Sequence, residues 1–183
     1  HDAAVSDKLS TENFSEDAVA AIKINKGLLG SGEIEFLASL QNGISDFALL
    51  FVHGSPRDPL NEYLYSFEKL RQNISLFNTK ICFTGHTHKP LIYSTDESGL
   101  ELTQIPEDNN LEFHLIDSRK YIINVGSVGQ PRDGDNRACF LYYDENAGKI
   151  TYRRIPYNIA AVQSKMSALR LPEFLINRLT GGV

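Results

Sequence analysis

The spacing of hydrophobic positions changes twice along this chain. Between residues 10 and 40 the apolar positions recur at near-helical intervals. Val19, Ile22 and Ile24 make an imperfect stripe, and Ile34, Leu37 and Leu40 make a second after Gly30 and Gly32. Ser15 precedes the first stripe as an N-cap, with Glu16 and Asp17 in the first turn, where the helix dipole favours anions. Helices are therefore expected across 10–40. Residues 47–52 are an unbroken apolar run that stops at His-Gly-Ser-Pro, which predicts a buried strand running into a loop. Residues 58–77 predict one helix, with Pro59 near its first turn and Leu60, Leu64, Phe67, Leu70 and Ile74 on one face. A second apolar run, 81–83, ends in "GHTH" and predicts another buried strand.

From residue 89 the period becomes two. "KPLIYS", "LELTQI", "LEFHLI", "YIINVGS", "RACFLYYD" and "KITYRRIPY" read as short strands of a β meander, separated by Gly, Asp and Asn turns. The chain then returns to helix, with Asn158 as a cap, Pro172 opening a last segment and Gly181-Gly182 closing it. Helices, strand–helix–strand, a meander and more helices predict a layered α/β domain, its sheets packed together and its helices outside.

Composition narrows the function classes. With 183 residues, 42% hydrophobic and 22% charged, the chain suits one globular domain. A net charge of -5 argues against broad affinity for nucleic acid or anionic membrane. No apolar run approaches the ~20 residues of a membrane span, and "HDAAVSDKLS" lacks the basic start and apolar stretch of a signal peptide. Cys82 and Cys139 both lie in strand-like apolar runs, as buried thiols of a reducing, cytoplasmic setting would. The first residue is His and the only Met is Met166, so a cut or processed N-terminus is expected.

The histidines carry the candidate chemistry. His53 and His86 each follow an apolar run, and each has a neighbouring glycine, Gly54 and Gly85, for a sharp turn and for room beside a bound group. In α/β sheets ligands gather beyond the carboxyl ends of strands. In an extended segment His86 and His88, two apart, point the same way. Imidazole is the commonest side-chain ligand of transition metals. From the residues alone, His53, His86 and His88 are either converging ligands or hydrogen-bonded surface residues. His114, inside a strand, is structural or solvent-facing.

"GHTHKP", with "FVHGSP" upstream and "INVGSVGQPRDGDNRACFLYYD" downstream, resembles the calcineurin-like metallophosphoesterase superfamily, in its bacterial and archaeal single-domain branch. The resemblance covers most of the chain. It implies a layered α/β/β/α sandwich of two packed mixed sheets with outer helices. The superfamily holds two metals on five motifs: Asp-x-His, Gly-Asp, Gly-Asn-His-Asp or Glu, a lone His, and Gly-His-x-His. The last two are complete here, and His1-Asp2 matches the end of the third. The chain thus looks like a family member that starts inside Gly-Asn-His-Asp, with two βα units and the carboxylate ligands expected upstream. Such a chain alone is expected to bind metal poorly.

By the same resemblance His53 and His86 bind one metal, His88 the other, and His1 is the general acid for a reaction run by a metal-bridging hydroxide. The two cofactors would be divalent Mn, Fe, Zn or Co, which suit a mixed His, Asp and Asn shell. Arg57 and Arg132 stand in loops near these motifs. Each either grips substrate phosphate bidentately or forms a loop salt bridge, with Asp58 or Asp133. Ser55 and Ser127 either cap turns or bind phosphate. Val125 replaces the Pro frequent in the family after Asn124. The helices of 10–40 would be a cap-like insertion over the site or a packing elaboration. The implied substrate is a small phosphate ester or a phosphoprotein, and the other reading is a non-catalytic scaffold or binding module, as in a retromer subunit of the superfamily. The presence of His1 favours the enzyme.

Overall fold

The protein is described by a computed structural model over residues 1–99, 101–104 and 111–183. Its described residues divide into two compact units, and elements are numbered in chain order. One unit, residues 1–41 and 158–181, is helical. It contains α1 (Asp2–Val5), α2 (Glu16–Leu28), α3 (Ser31–Ser39), α5 (Ile159–Ala168) and α6 (Glu173–Gly181). The expected caps are present. Ser15 Oγ accepts the Ala18 N–H at 3.3 Å, and Asn158 Oδ1 accepts the Ala161 N–H at 3.0 Å. These bonds satisfy donors that a helix start leaves without partners. Ala4, Val5 and Ile22 form a small core with Phe14, Leu29 and Leu37 against it. The short α1 has no signature in the hydrophobic pattern, because one turn is too brief to show a period.

The other unit, residues 42–157 and 182–183, holds every strand and α4. Strands β1 (Gly43–Asp46), β2 (Leu49–Val52), β3 (Ile81–Thr84), β4 (Leu91–Asp96), β5 (Glu101–Gln104) and β7 (Arg119–Asn124) form a six-stranded mixed sheet in the order β1-β2-β3-β7-β4-β5. β6 (Glu112–His114), β8 (Ala138–Asp144) and β9 (Lys149–Ile155) form a second sheet in the order β6-β9-β8. The two packed sheets and outer helices are those expected, and among the described residues the pairs of the second sheet are antiparallel. The strands after residue 89 are not a simple meander. β7 enters between β3 and β4, parallel to the first and antiparallel to the second.

Alternation along the central strands explains their continuous apolar character. Ile81, Phe83, Tyr121 and Ile123 pack with Cys139, Ile150 and Tyr152 of the second sheet. Cys82 and Ile122, pointing the opposite way, pack with Leu70 and Ile74 of α4 (Phe67–Ile74) and with Phe77. Both faces of β3 and β7 are covered along Ile81–Phe83 and Tyr121–Ile123, so these positions are apolar on both sides. Cys82 and Cys139 are buried free thiols in different clusters, and burial pushes the Cys82 thiol up to about 12. Among the described residues no helix is long and apolar enough to cross a membrane.

Two expectations about this unit are corrected. The run 47–52 is not one buried strand. The chain turns at Phe47, which has φ 43 and is 98% exposed, so that Asp46 faces Leu49 across a β1–β2 hairpin. Hydrophobicity alone could not show a turn made at an aromatic residue. Likewise 58–77 is not one helix. Asp58 Oδ1 accepts the N–H groups of Leu60 at 3.2 Å and Asn61 at 3.0 Å, which closes a turn instead. The helix starts only at Ser66, whose Oγ accepts the Lys69 N–H at 3.3 Å. Leu64, Leu70 and Ile74 are buried as expected, while Phe67 is exposed.

Candidate active site

β2 and β3 are parallel neighbours, so the residues that follow them emerge side by side. The Gly85 N–H donates to the His53 carbonyl at 2.9 Å and ties the two strand ends together. The imidazoles meet beyond that bond, with His53 Nε2 2.8 Å from His86 Nδ1. His86 Nε2 lies 3.2 Å from the Asn61 carbonyl. A carbonyl only accepts, so His86 carries its proton on Nε2 and its lone pair on Nδ1, facing His53. His88 Nδ1 lies 2.7 Å from the Gln130 carbonyl, which by the same logic puts the His88 proton on Nδ1 and its lone pair on Nε2. All three histidines line one cavity of about 420 Å³, whose other wall is formed by residues 125–128 and 139–141.

The histidine loop has a backbone that the sequence did not reveal. His86 and His88 are not in an extended segment. Both are left-handed, at φ 57 and φ 58, with Thr87 between them donating its N–H to the Gly85 carbonyl at 2.6 Å. Non-glycine residues in this region are strained, and such strain persists only where the surroundings enforce it. The glycine roles also differ from expectation. A Cβ on Gly54 would stand 2.7 Å from the Asp58 carbonyl oxygen, so that position has no room for a side chain. A Cβ on Gly85 would stand no closer than 3.7 Å to anything, an ordinary contact.

Several residues around His86 went unrecognised in the sequence. The Tyr63 ring stacks on His86 at 3.7 Å between centroids and 20° between planes. Tyr63 in turn stacks on Tyr65 at 5.0 Å. The signal was the pair of tyrosines two apart in "NEYLY", obscured by the helical reading of that segment. Burial is the main cause that pushes the His86 imidazole down, to about 4, with His53 and His88 adding to the effect and the Asn61 carbonyl opposing it. His86 is therefore a neutral imidazole near pH 7, the form that can ligate a metal.

Neither arginine lines the cavity. Arg57 pairs with Glu62, its Nε 3.3 Å from Oε2, and its Nη1 reaches Gln72 at 3.2 Å. The expected loop salt bridge is thus real, but its partner is Glu62 rather than Asp58. Arg132 does not pair with Asp133, which is bonded to Arg154 instead. Arg132 gives its N–H to the His88 carbonyl at 3.2 Å, and its Nη2 lies 3.5 Å from Gln130 Oε1. Ser55 and Ser127 both cap turns, accepting the Asp58 and Gln130 N–H groups at 3.0 Å. His114 is exposed on β6. His1, in the helical unit, is the N-cap residue of α1, and its ring lies 5.9 Å from that of Phe14.

Glu62 is the hub of this loop. Besides Arg57, its Oε2 accepts from Ser55 Oγ at 2.5 Å and from Asn73 Nδ2 at 3.0 Å. The Arg57 hydrogen bond, helped by Ser55 and Asn73 and opposed by burial, holds the carboxyl down at about 2 against an ordinary 4.5. A folded value below the unfolded one means stability present in full above pH 4.5 and lost as pH falls through 2. Glu62→Gln should therefore be less stable than wild type at neutral pH, with the gap closing inside that window. Urea unfolding of both proteins above and below the window measures it, and a gap that stays constant would contradict this titration.

Among the described residues no group of three or more His, Cys, Asp or Glu side chains has a metal-holding arrangement. The donor set nevertheless fits a metal in part. His53 Nε2 and His86 Nδ1, 2.8 Å apart, are the ring nitrogens that would hold it, with His88 Nε2 on the same cavity.

The chain is similar to known proteins along its length. It is 34% identical over 189 aligned positions to an uncharacterized protein of Methanocaldococcus jannaschii, the match covering 98% of this chain and 72% of that protein. It is similar to a metallophosphoesterase from Sphaerobacter thermophilus at 37% identity and a TM-score of 0.85, over 100% of this chain and 74% of the other. A hypothetical protein from Pyrococcus horikoshii OT3 matches with a TM-score of 0.73 over 100% of this chain and 70% of its own, a likeness of fold alone at 17% identity. No family model matches the chain. The paired histidines beyond two parallel strands, the two packed sheets and the Sphaerobacter likeness agree, and the chain belongs to the calcineurin-like metallophosphoesterases.

Proposed function

We propose that the protein is a metal-dependent phosphoesterase whose cavity holds divalent metal through His53, His86 and His88. The observation that carries this reading is the face-to-face placement of His53 Nε2 and His86 Nδ1 at 2.8 Å, beside a His88 whose Nδ1 is already committed to a carbonyl. A histidine that donates one ring N–H to the protein presents the other nitrogen in a fixed direction, as metal-ligating histidines do. Two or three imidazoles fall short of a complete dinuclear shell. The reading therefore depends on oxygen donors of the kind that the family's Asp-x-His and Gly-Asp motifs supply. Divalent metal, when bound, polarises phosphoryl oxygens and makes a nucleophile available near neutral pH.

The chain's own groups have distinct tasks in this reading. His53 and His86 orient one edge of the site, and Tyr63 holds the His86 ring plane from the other side. His1 protonates the departing oxygen of the substrate. Arg132, adjacent to the histidine loop through the His88 carbonyl, meets the substrate phosphate, and Arg57 serves the loop structure through Glu62. Substrates are phosphate esters, whether small diesters, monoesters or phosphoprotein.

The test is metal content and turnover together. Protein that carries those oxygen donors together with this chain, stripped with a chelator and reloaded with Mn²⁺ or Co²⁺, should retain metal through desalting and hydrolyse a chromogenic phosphodiester. Stripped protein should be inactive. Retention of metal without turnover on diesters and monoesters would favour the binding-module reading, and failure to retain metal would overturn both the site and the enzyme.

A further inference from the structure

The two left-handed histidines need something to hold them, and the structure provides it from the neighbouring strand. Asn124 ends β7, directly beside Thr84 at the end of β3. Its side chain is 3% exposed and reaches across to the loop. Nδ2 donates to the Gly85 carbonyl at 2.5 Å and to Thr87 Oγ1 at 3.0 Å. Oδ1 accepts the Gly126 N–H at 3.1 Å on the opposite wall of the cavity. Asn124 is itself anchored, because its carbonyl accepts the hydroxyl of buried Tyr152 at 2.5 Å. Thr87 completes the arrangement by accepting the Lys89 N–H on its Oγ1 at 3.2 Å.

We infer that Asn124 is a positioning residue: through Gly85 and Thr87 it holds His86 and His88 in the left-handed conformation that turns both imidazoles onto the cavity. The inference rests on the metal-site reading above and deepens it. The chemistry of the carboxamide explains why Asn stands there. Two donors and one acceptor on a short side chain meet two acceptors on one loop and one donor on the other. Asp would keep the Gly126 bond, lose the Gly85 bond and set a carboxylate oxygen against that carbonyl, and could meet Thr87 only by accepting its hydroxyl proton. Thr87 lies between the two strained residues, so a fixed Thr87 limits the backbone torsions available on either side of it. Outer groups of this kind typically change metal affinity 10- to 100-fold when removed, without touching the metal.

Asn124→Asp, Thr87→Val and Thr87→Ser in the otherwise intact protein test this, once thermal melts show which variants are folded. Amide exchange in metal-free protein is the first readout. Gly85 and Thr87 should exchange roughly 10-fold faster or more in Asn124→Asp and Thr87→Val, while the β3 amides stay protected. Co²⁺ affinity, read from the absorption spectrum, is the second. It should fall about 10- to 100-fold in both variants and return close to wild type in Thr87→Ser, which keeps the hydroxyl. Should Asn124→Asp fail to fold, Thr87→Val carries the test. Folded variants with unchanged exchange and unchanged Co²⁺ affinity would overturn the inference. If wild-type protein binds no Co²⁺, the metal reading fails, and the exchange comparison alone decides whether Asn124 holds the loop.

Discussion

Replacing His88 with alanine should lower phosphodiester turnover by at least ~100-fold while leaving the fold intact. The lower bound follows from the cost of disturbing groups that only orient metal ligands, about 10- to 100-fold, since a ligand itself contributes more. His88 is the better choice for this test than His86. His86 also bonds His53 and the Asn61 carbonyl and carries the Tyr63 ring, so its loss would disturb several contacts at once. The His88 ring is held through Nδ1 by the Gln130 carbonyl, at the loop that carries Ser127, away from the Tyr63 stack. His114, exposed on β6 in the second sheet, is the control, and His114→Ala should keep wild-type turnover. Assaying both variants with excess metal, and measuring metal content by emission spectroscopy, separates a lost ligand from a lost fold. Equal turnover in the two variants would remove His88 from the site.

The elements that were legible in the sequence are those whose residues face a single kind of surroundings. β3 and β7 are covered on both faces, so Ile81–Phe83 and Tyr121–Ile123 are apolar without a break and these runs are unmistakable. β4 to β9 show alternation or caps of their own. The failures have local causes. Phe47 turns the chain with a positive φ that no apolar pattern encodes. Asp58 diverts its segment with two side-chain bonds that compete with a helix. Strand order was hidden as well, because β7 joins β3 over a separation of some forty residues and a two-residue period says nothing about partners. At the site, the residue types and their approximate meeting place were readable from the strand ends. The left-handed backbone, the Tyr63 stack and the Asn124 bonds were not, since each depends on contacts between segments distant in sequence.

Gly126→Ala should destabilise the protein by roughly 2–5 kcal/mol, the largest loss of stability expected from a single methyl group at the cavity wall. Two independent costs add here. Gly126 has φ 81, where an L-residue with a Cβ costs about 1–2 kcal/mol. The added Cβ would also stand 2.6 Å from Cys139 Sγ and 2.9 Å from Cys139 Cβ. Overpacking of this kind in a dense interior costs about 1–3 kcal/mol more. Cys139 cannot retreat easily, because it is buried in the cluster between the two sheets and its N–H is bonded to the Ser127 carbonyl at 2.8 Å. Truncating it separates the two costs. In the Gly126→Ala, Cys139→Ala double variant the sulfur contact is gone, while the backbone strain and the 2.9 Å contact with the Cβ at position 139 remain. The double variant should then be less destabilised than the sum of the single variants, by about 0.5–3 kcal/mol of coupling. Urea unfolding of all four proteins yields that coupling directly. Simple additivity would mean that the sulfur was never in the way, and the cost would then lie in the left-handed backbone and the Cβ contact, beside the N–H that Gly126 donates to Asn124 Oδ1.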